Sequence, residues 1–260
     1  VCMIAGMVDL SGLTVRAAET TIQNANVEVA AAEYNGSPQE PAVTVTDFSG
    51  SVLSQGTDYT LKYSNNTNAG TATVTVTNTK DQTDTQDVDF TITRRPITSS
   101  GIVFPSADEL AREISQPDMV VTPIISVTDN GRKLTGRQTT STTADLDFAY
   151  SFTNNVGPGT ATVTILGVNN YSGMKEISFD ISMLDASKLT FDFVDDLSRG
   201  WPYEGGDAIE PPVQDVAYDG TPLKSDEYVV RYASNRYAGQ AETWIEGQGS
   251  RFGGLVSEHK

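Results

Sequence analysis

The chain has 260 residues, with 34 acidic and 17 basic side chains, one histidine, one cysteine and a formal net charge of −17. A lone His259 and a lone Cys2 exclude His-cluster metal sites, internal disulfides, zinc ribbons and iron–sulfur centres and remove almost every His-based catalytic triad. Nucleic acid and anionic membrane surfaces repel such a polyanion, and no apolar run approaches the roughly 20 residues of a spanning helix, so neither is an expected partner.

Residues 1–19 admit two readings. Val1–Val8 is apolar, and Ala17 and Ala18 are small, as at the end of a secretory signal peptide. Alternatively, Gly6 and Leu10-Ser11-Gly12 stand 161 residues before Gly167 and Tyr171-Ser172-Gly173, which makes the segment the last hairpin of a preceding repeat. Either reading puts the protein outside the cell.

From residue 20 the texture is β. Thr71-Ala72-Thr73-Val74-Thr75-Val76-Thr77 and Thr160-Ala161-Thr162-Val163-Thr164-Ile165 alternate strictly, which places one face on a core and the other in water. Tyr34-Asn35-Gly36, Asp129-Asn130-Gly131 and Tyr218-Asp219-Gly220 are turn signals, because Asn, Asp and Gly tolerate positive φ. The single helical signal is Ser106–Ile114, where Ser106 and Glu109 have capping-box spacing and allow at most two turns.

One pattern occurs three times. An acidic residue (Asp58, Asp147, Glu227) precedes a strand with rings at alternate positions: Tyr59 and Tyr63, Phe148 and Phe152, Tyr228 and Tyr232. An Asn-rich turn follows, then Gly70, Gly159 or Gly239, which are 89 and 80 residues apart. That period suits one seven-stranded sandwich per repeat rather than a solenoid coil. Upstream, Pro41, Pro123 and Pro211 stand at strand starts, where a missing N–H costs nothing. Turns at Gly50, Gly131 and Gly220 precede Leu53, Leu134 and Leu223. Downstream, Val88, Phe90 and Ile92 match Ile177, Phe179 and Ile181, but the third repeat has no Phe-x-Ile ending.

On Tyr34-Asn35-Gly36 through Pro41 and Asp58-Tyr59 through Val76, the chain resembles the YDG-type immunoglobulin-like β-sandwich repeats of Gram-positive secreted and cell-wall proteins. The first repeat fits best; the other two fit through their second halves. The literal Tyr218-Asp219-Gly220 string aligns with a later turn and is coincidental. The resemblance implies a stalk or adhesin segment at the cell surface and carries over no catalytic residues.

Candidate chemistry is sparse. Asp81, Asp84, Asp87 and Asp89 share one hairpin and are the candidate calcium ligands, since hard cations take carboxylate oxygens. They lack the glycine and terminal Glu of an EF-hand, and a solvated acidic hairpin is the simpler account. Asp192, Asp195 and Asp196 are a second acidic group. Trp201 and Tyr203, in a Gly/Pro-rich loop, are candidates for stacking on sugar rings; Trp244 and Tyr237 form a second aromatic pair, with Trp244 expected in a core. None of the seven lysines stands in an apolar strand beside a matched Asn, which argues against an isopeptide cross-link.

The expectation is therefore an all-β chain of three tandem immunoglobulin-like sandwiches, 20–94, 95–183 and 184–260. Short linkers at Thr93-Arg94-Arg95-Pro96 and Met183-Leu184-Asp185-Ala186 would join them as an elongated, semi-rigid rod. It is expected to be a non-catalytic stalk or adhesin segment that needs no cofactor, calcium at the acidic hairpin being the one candidate. Its partners would be further repeats, a host glycan or protein, or another copy by strand addition. A carbohydrate-binding module and a fibre subunit assembled by strand donation are the alternatives.

Overall fold

A computed structural model describes residues 21–139, 145–197, 200–203 and 205–260. The segment 1–19, with its signal-peptide and hairpin readings, lies outside them. The described chain is all-β, with short α-helices at α1 (Ala107–Leu110) and α2 (Gly249–Phe252). It forms two compact units. One comprises the residues up to Pro96 with Asn169–Ser172; the other comprises Ile97–Val168 with Gly173–Lys260.

In the first unit, β1 (Asn26–Val29) pairs antiparallel with β3 (Val43–Thr46). A second sheet runs β2 (Ala32–Glu33), β6 (Thr85–Thr93), β5 (Gly70–Asn78) and β4 (Tyr59–Ser64), with β2 parallel to β6. The Thr/Val alternation of β5 puts Ala72, Val74 and Val76 at zero exposure. Ile22, Ala25, Val45 and Tyr59 pack with Val76 into one core. The expected linker at 93–96 is structured: β7 (Arg95–Pro96) pairs with β15 (Tyr171–Ser172), and Arg95 bridges Glu33 at 2.9 Å. Tyr171 is fully buried and meets Tyr34 edge-on at 5.6 Å.

The second unit opens with β8 (Ile102–Val103). Ser106 then caps α1 with both bonds of the capping box, as its spacing predicts. The helix lasts one turn because Ala111 leaves helical dihedrals (φ −55, ψ 141), and the chain becomes β9 (Arg112–Ile114). Next come β10 (Thr128–Asp129) and β11 (Arg132–Lys133), joined by Asn130 and Gly131 at φ 47 and 83, a two-residue hairpin. A five-stranded sheet then runs β12 (Gly136–Gln138), β13 (Phe148–Thr153), β14 (Gly159–Gly167), β16 (Met174–Met183) and β9. Gly136 is obligatory: a Cβ there would sit 2.0 Å from the tip of the Phe148 ring.

The same unit holds β17 (Leu189–Phe193), β18 (Val213–Tyr218) and β19 (Thr221–Pro222) in one sheet, and β20 (Tyr228–Ala233) with β21 (Glu242–Gly247) in another. Leu189, Phe191, Val216, Tyr218, Ile245, Phe252 and Leu255 form their core with Leu184. The second expected linker is thus anchored: Leu184 is buried, and Asp185 caps a short 3-10 turn through Ser187.

Candidate functional site

The three repeated segments use one set of bonds. The carboxylates of Asp58, Asp147 and Glu227 accept the backbone N–H of Ser54, Thr135 and Lys224 at 2.8, 2.9 and 2.8 Å. After the aromatic strand, Asn65, Asn154 and Ser234 take left-handed φ of 55, 53 and 54. The next residue is Asn in every case. The Nδ2 of Asn66, Asn155 and Asn235 donates to the carbonyl oxygen of Gln39, Val121 and Ile209 at 2.9, 2.9 and 3.1 Å. The same Asn carbonyls accept the N–H of those three residues at 2.7, 2.8 and 2.8 Å. Two reciprocal bonds thus tie each turn to the segment just before Pro41, Pro123 or Pro211; strands follow Pro41 and Pro211, whereas the strand expected at Pro123 is absent and the chain is irregular over 121–127. Leu53, Leu134 and Leu223 each donate their N–H to Val45, Val127 and Val216 at 2.9 Å.

The alternate rings are less uniform than their spacing implies. Tyr59 and Phe148 are buried, whereas Tyr63, Phe152, Tyr228 and Tyr232 are half-buried. A hydroxyl explains two of these positions: Tyr63 donates to the carbonyl of Pro41 at 2.6 Å and Tyr232 to that of Pro211 at 2.7 Å. Burial first, then the charge of Glu40 or Glu210, raises the pKa of these phenols, which keeps them neutral donors.

The acidic hairpin is not assembled as a cation cage. Asp84 turns inward and accepts the N–H of Ile22 at 2.7 Å, the N–H of Gln23 at 3.0 Å and the Asn78 amide at 2.9 Å. Asp81 holds its own turn through the N–H and hydroxyl of Thr83. Asp87 and Asp89 accept the cross-strand hydroxyls of Thr75 and Thr73 at 2.6 and 2.8 Å. Each carboxylate serves a different local bond. Among the described residues, no three His, Cys, Asp or Glu side chains are grouped to hold a metal. Asp192 faces the ammonium of Lys260 at 3.1 Å.

The aromatic candidates do converge. Trp201 and Tyr203 line a cleft of about 690 Å³ with Tyr232 and Tyr237. Trp201, Tyr203 and Tyr237 are 37%, 54% and 78% exposed. Trp244 lies elsewhere: it is half-buried, stacks on His259 at 4.5 Å and donates to Glu246 at 3.2 Å. The contribution of Tyr232 was not legible, because spacing assigns that ring to a core. The signal for Tyr237 is its mismatch: the equivalent positions are Asn68 and Gly157.

No family model matches the chain, and no curated protein matches it. Among solved structures, surface layer protein SbsC, domains 4–9, is similar at 16% identity with a TM-score of 0.22. The alignment covers 93% of this chain and 46% of that one, so the chain spans just under half of that structure's length. A likeness at that score carries no argument.

Proposed function

We propose that the chain is a non-catalytic structural segment, a stalk or adhesin portion of a bacterial extracellular surface protein, with three tandem immunoglobulin-like repeats. The observation that carries this reading is the threefold recurrence of one bonding device. The acid, the Asn and the Leu of each repeat hold the fold's own backbone. The acidic charge and the resemblance of the Tyr34–Pro41 region to Gram-positive surface repeats support the location. Antibodies raised against residues 21–260 should label intact cells of the source organism. Labelling only after lysis, or a hydrolase turnover that survives repurification and is lost in a cleft variant, overturns the proposal.

A second reading rests on the convergence of Trp201, Tyr203 and Tyr237. Three exposed rings around one cleft suit a sugar-binding platform. Calorimetric titration with soluble cell-wall and host oligosaccharides tests it: binding that Trp201→Ala abolishes supports it, and no heat with any sugar sinks it.

A further inference from the structure

The chain contains two Asn-Gly pairs, Asn35-Gly36 and Asn130-Gly131. Glycine leaves the main-chain nitrogen after an asparagine unshielded, because it has no Cβ. That nitrogen can attack the asparagine's own side-chain amide. The structure gives the two amides opposite surroundings.

Asn35 and Gly36 are exposed, and Gly36 takes φ 86. The Oδ1 of Asn35 accepts the N–H of Ser37 at 2.9 Å and the Nε2 of Gln39 at 2.5 Å. The Ser37 bond closes a small ring that holds both the Asn35 Cγ and the Gly36 nitrogen. Two donors on a carbonyl oxygen make its carbon more electrophilic and stabilise the negative charge that attack creates. The turn is anchored at both ends. Tyr34 donates its N–H to Thr93 at 2.9 Å, and Gln39 donates its N–H to Asn66 at 2.7 Å.

Asn130 has neither feature. Among the described residues, no donor reaches its Oδ1, which lies so close to Gly101 that an added Cβ there would be 2.3 Å from it. Its Nδ2 donates to the Asp129 carboxylate at 2.9 Å, so negative charge developing on the amide would be repelled. Ladder pairs Thr128–Lys133 and Asp129–Arg132 hold the hairpin, and Asn130 donates its N–H to Gly101 at 2.8 Å.

We propose that Asn35 is a self-modification site, at which the Gly36 nitrogen closes a succinimide ring on the Asn35 side chain while Asn130 is spared. The Gly36 nitrogen gives its proton to hydroxide or water and bonds to Cγ of Asn35. The Cγ–Nδ2 bond breaks, and the amide nitrogen takes a proton from solvent and leaves as ammonia. Water then adds to one of the two ring carbonyls. Breaking the new Cγ–N bond gives aspartate; breaking the original peptide C–N bond gives isoaspartate. The sum is one amide and one water converted to a carboxylate and ammonium, with nothing oxidised or reduced. Aspartate keeps the bonds to Ser37 and Gln39 and makes them charge-assisted. Isoaspartate lengthens the main chain by one carbon beside Tyr34, whose ring packs on Tyr171. Either product adds a negative charge to the first unit irreversibly.

The test holds the whole chain, folded and in urea, at neutral pH and body temperature for several weeks. Peptide mapping by mass spectrometry follows the amide-to-acid change at each asparagine, and an isoaspartyl methyltransferase counts isoaspartate. In the folded chain Asn35 should convert at least about tenfold faster than Asn130. In urea the two rates should be alike, because only the fold separates the sites. Gln39→Ala removes one donor to Oδ1 and keeps the main-chain bond to Asn66, so it should slow Asn35 by at least about threefold. Asn130 converting as fast as Asn35 in the folded chain overturns the proposal. So does a Gln39→Ala rate at or above wild type, or an Asn35 that stays intact while the urea-unfolded chain converts.

Discussion

Residues 148–167 and 228–247 form the same strand–turn–strand unit in the same register, with the same Asn clamp and a left-handed residue at the same turn position, Asn154 and Ser234. Yet Phe148 is 1% exposed and Ala161 fully buried, while Tyr228 is half-buried and Ala241 lies in solvent. The turn closes by local bonds and is indifferent to what lies beyond it. The burial of the strands depends on neighbours: β16 pairs with β14 from Gly159 to Leu166 and so covers Ala161, whereas Leu255–Lys260 bonds Thr243, Ile245 and Gly247 and does not pair with Ala241. Local hydrogen bonding and core formation are thus separable within one repeat.

The sharpest way to break this comparison is to remove the rings. Phe148→Ala should lower stability by about 3–5 kcal/mol, because it empties a filled site. Tyr228→Ala should cost clearly less, since its ring already meets water. Denaturant melts of the two variants decide it, and equal losses would mean that the third repeat is as tightly packed as the second. The clamp should behave the opposite way. Asn155→Ala and Asn235→Ala each remove the Nδ2 donor and leave the carbonyl of Val121 or Ile209 without it, while the main-chain bond from the same residue's N–H remains, and each should cost about 1–3 kcal/mol. Similar values in the two repeats would establish that the turn is autonomous; a large difference would tie it to the core.

A pH series extends the comparison to the first repeat. Burial pushes the Asp84 carboxyl up, but the Ile22 N–H, the Asn78 amide and the Gln23 N–H together outweigh it and hold its pKa below the ordinary value. A depressed carboxylate adds stability above its unfolded pKa and loses it as pH falls through the folded value. Asp84→Asn should therefore lower the melting temperature at pH 7, and the gap from wild type should close as pH falls below about 4. A gap that stays constant to pH 2 would show that the carboxylate charge contributes nothing. The smallest effect is expected at Asp81, whose bonds to Thr83 stay within an exposed turn. Asp81→Ala should leave the melting temperature within error of wild type, and added calcium should leave both melts unmoved if the hairpin is purely structural.

Much of this was legible from residue order. Period-two alternation set the buried faces of β5 and β14, because successive side chains of a strand point to opposite faces. Asn130-Gly131 and Asp219-Gly220 marked their hairpins, because only such residues take the positive φ found there. Ser106 and Glu109 marked a helix start, since a capping box is a three-residue contact. The tertiary structure decided the rest. The acidic hairpin looked like one cluster, but strand register sends Asp87 and Asp89 to Thr75 and Thr73 while Asp84 reaches back 62 residues to Ile22. Tyr232 read as a core ring, and Trp201 and Tyr203 as loop candidates for stacking on sugars. Only the edge along β21 places them in one cleft, because sequence spacing fixes which face a side chain takes and not whether a neighbouring strand covers it.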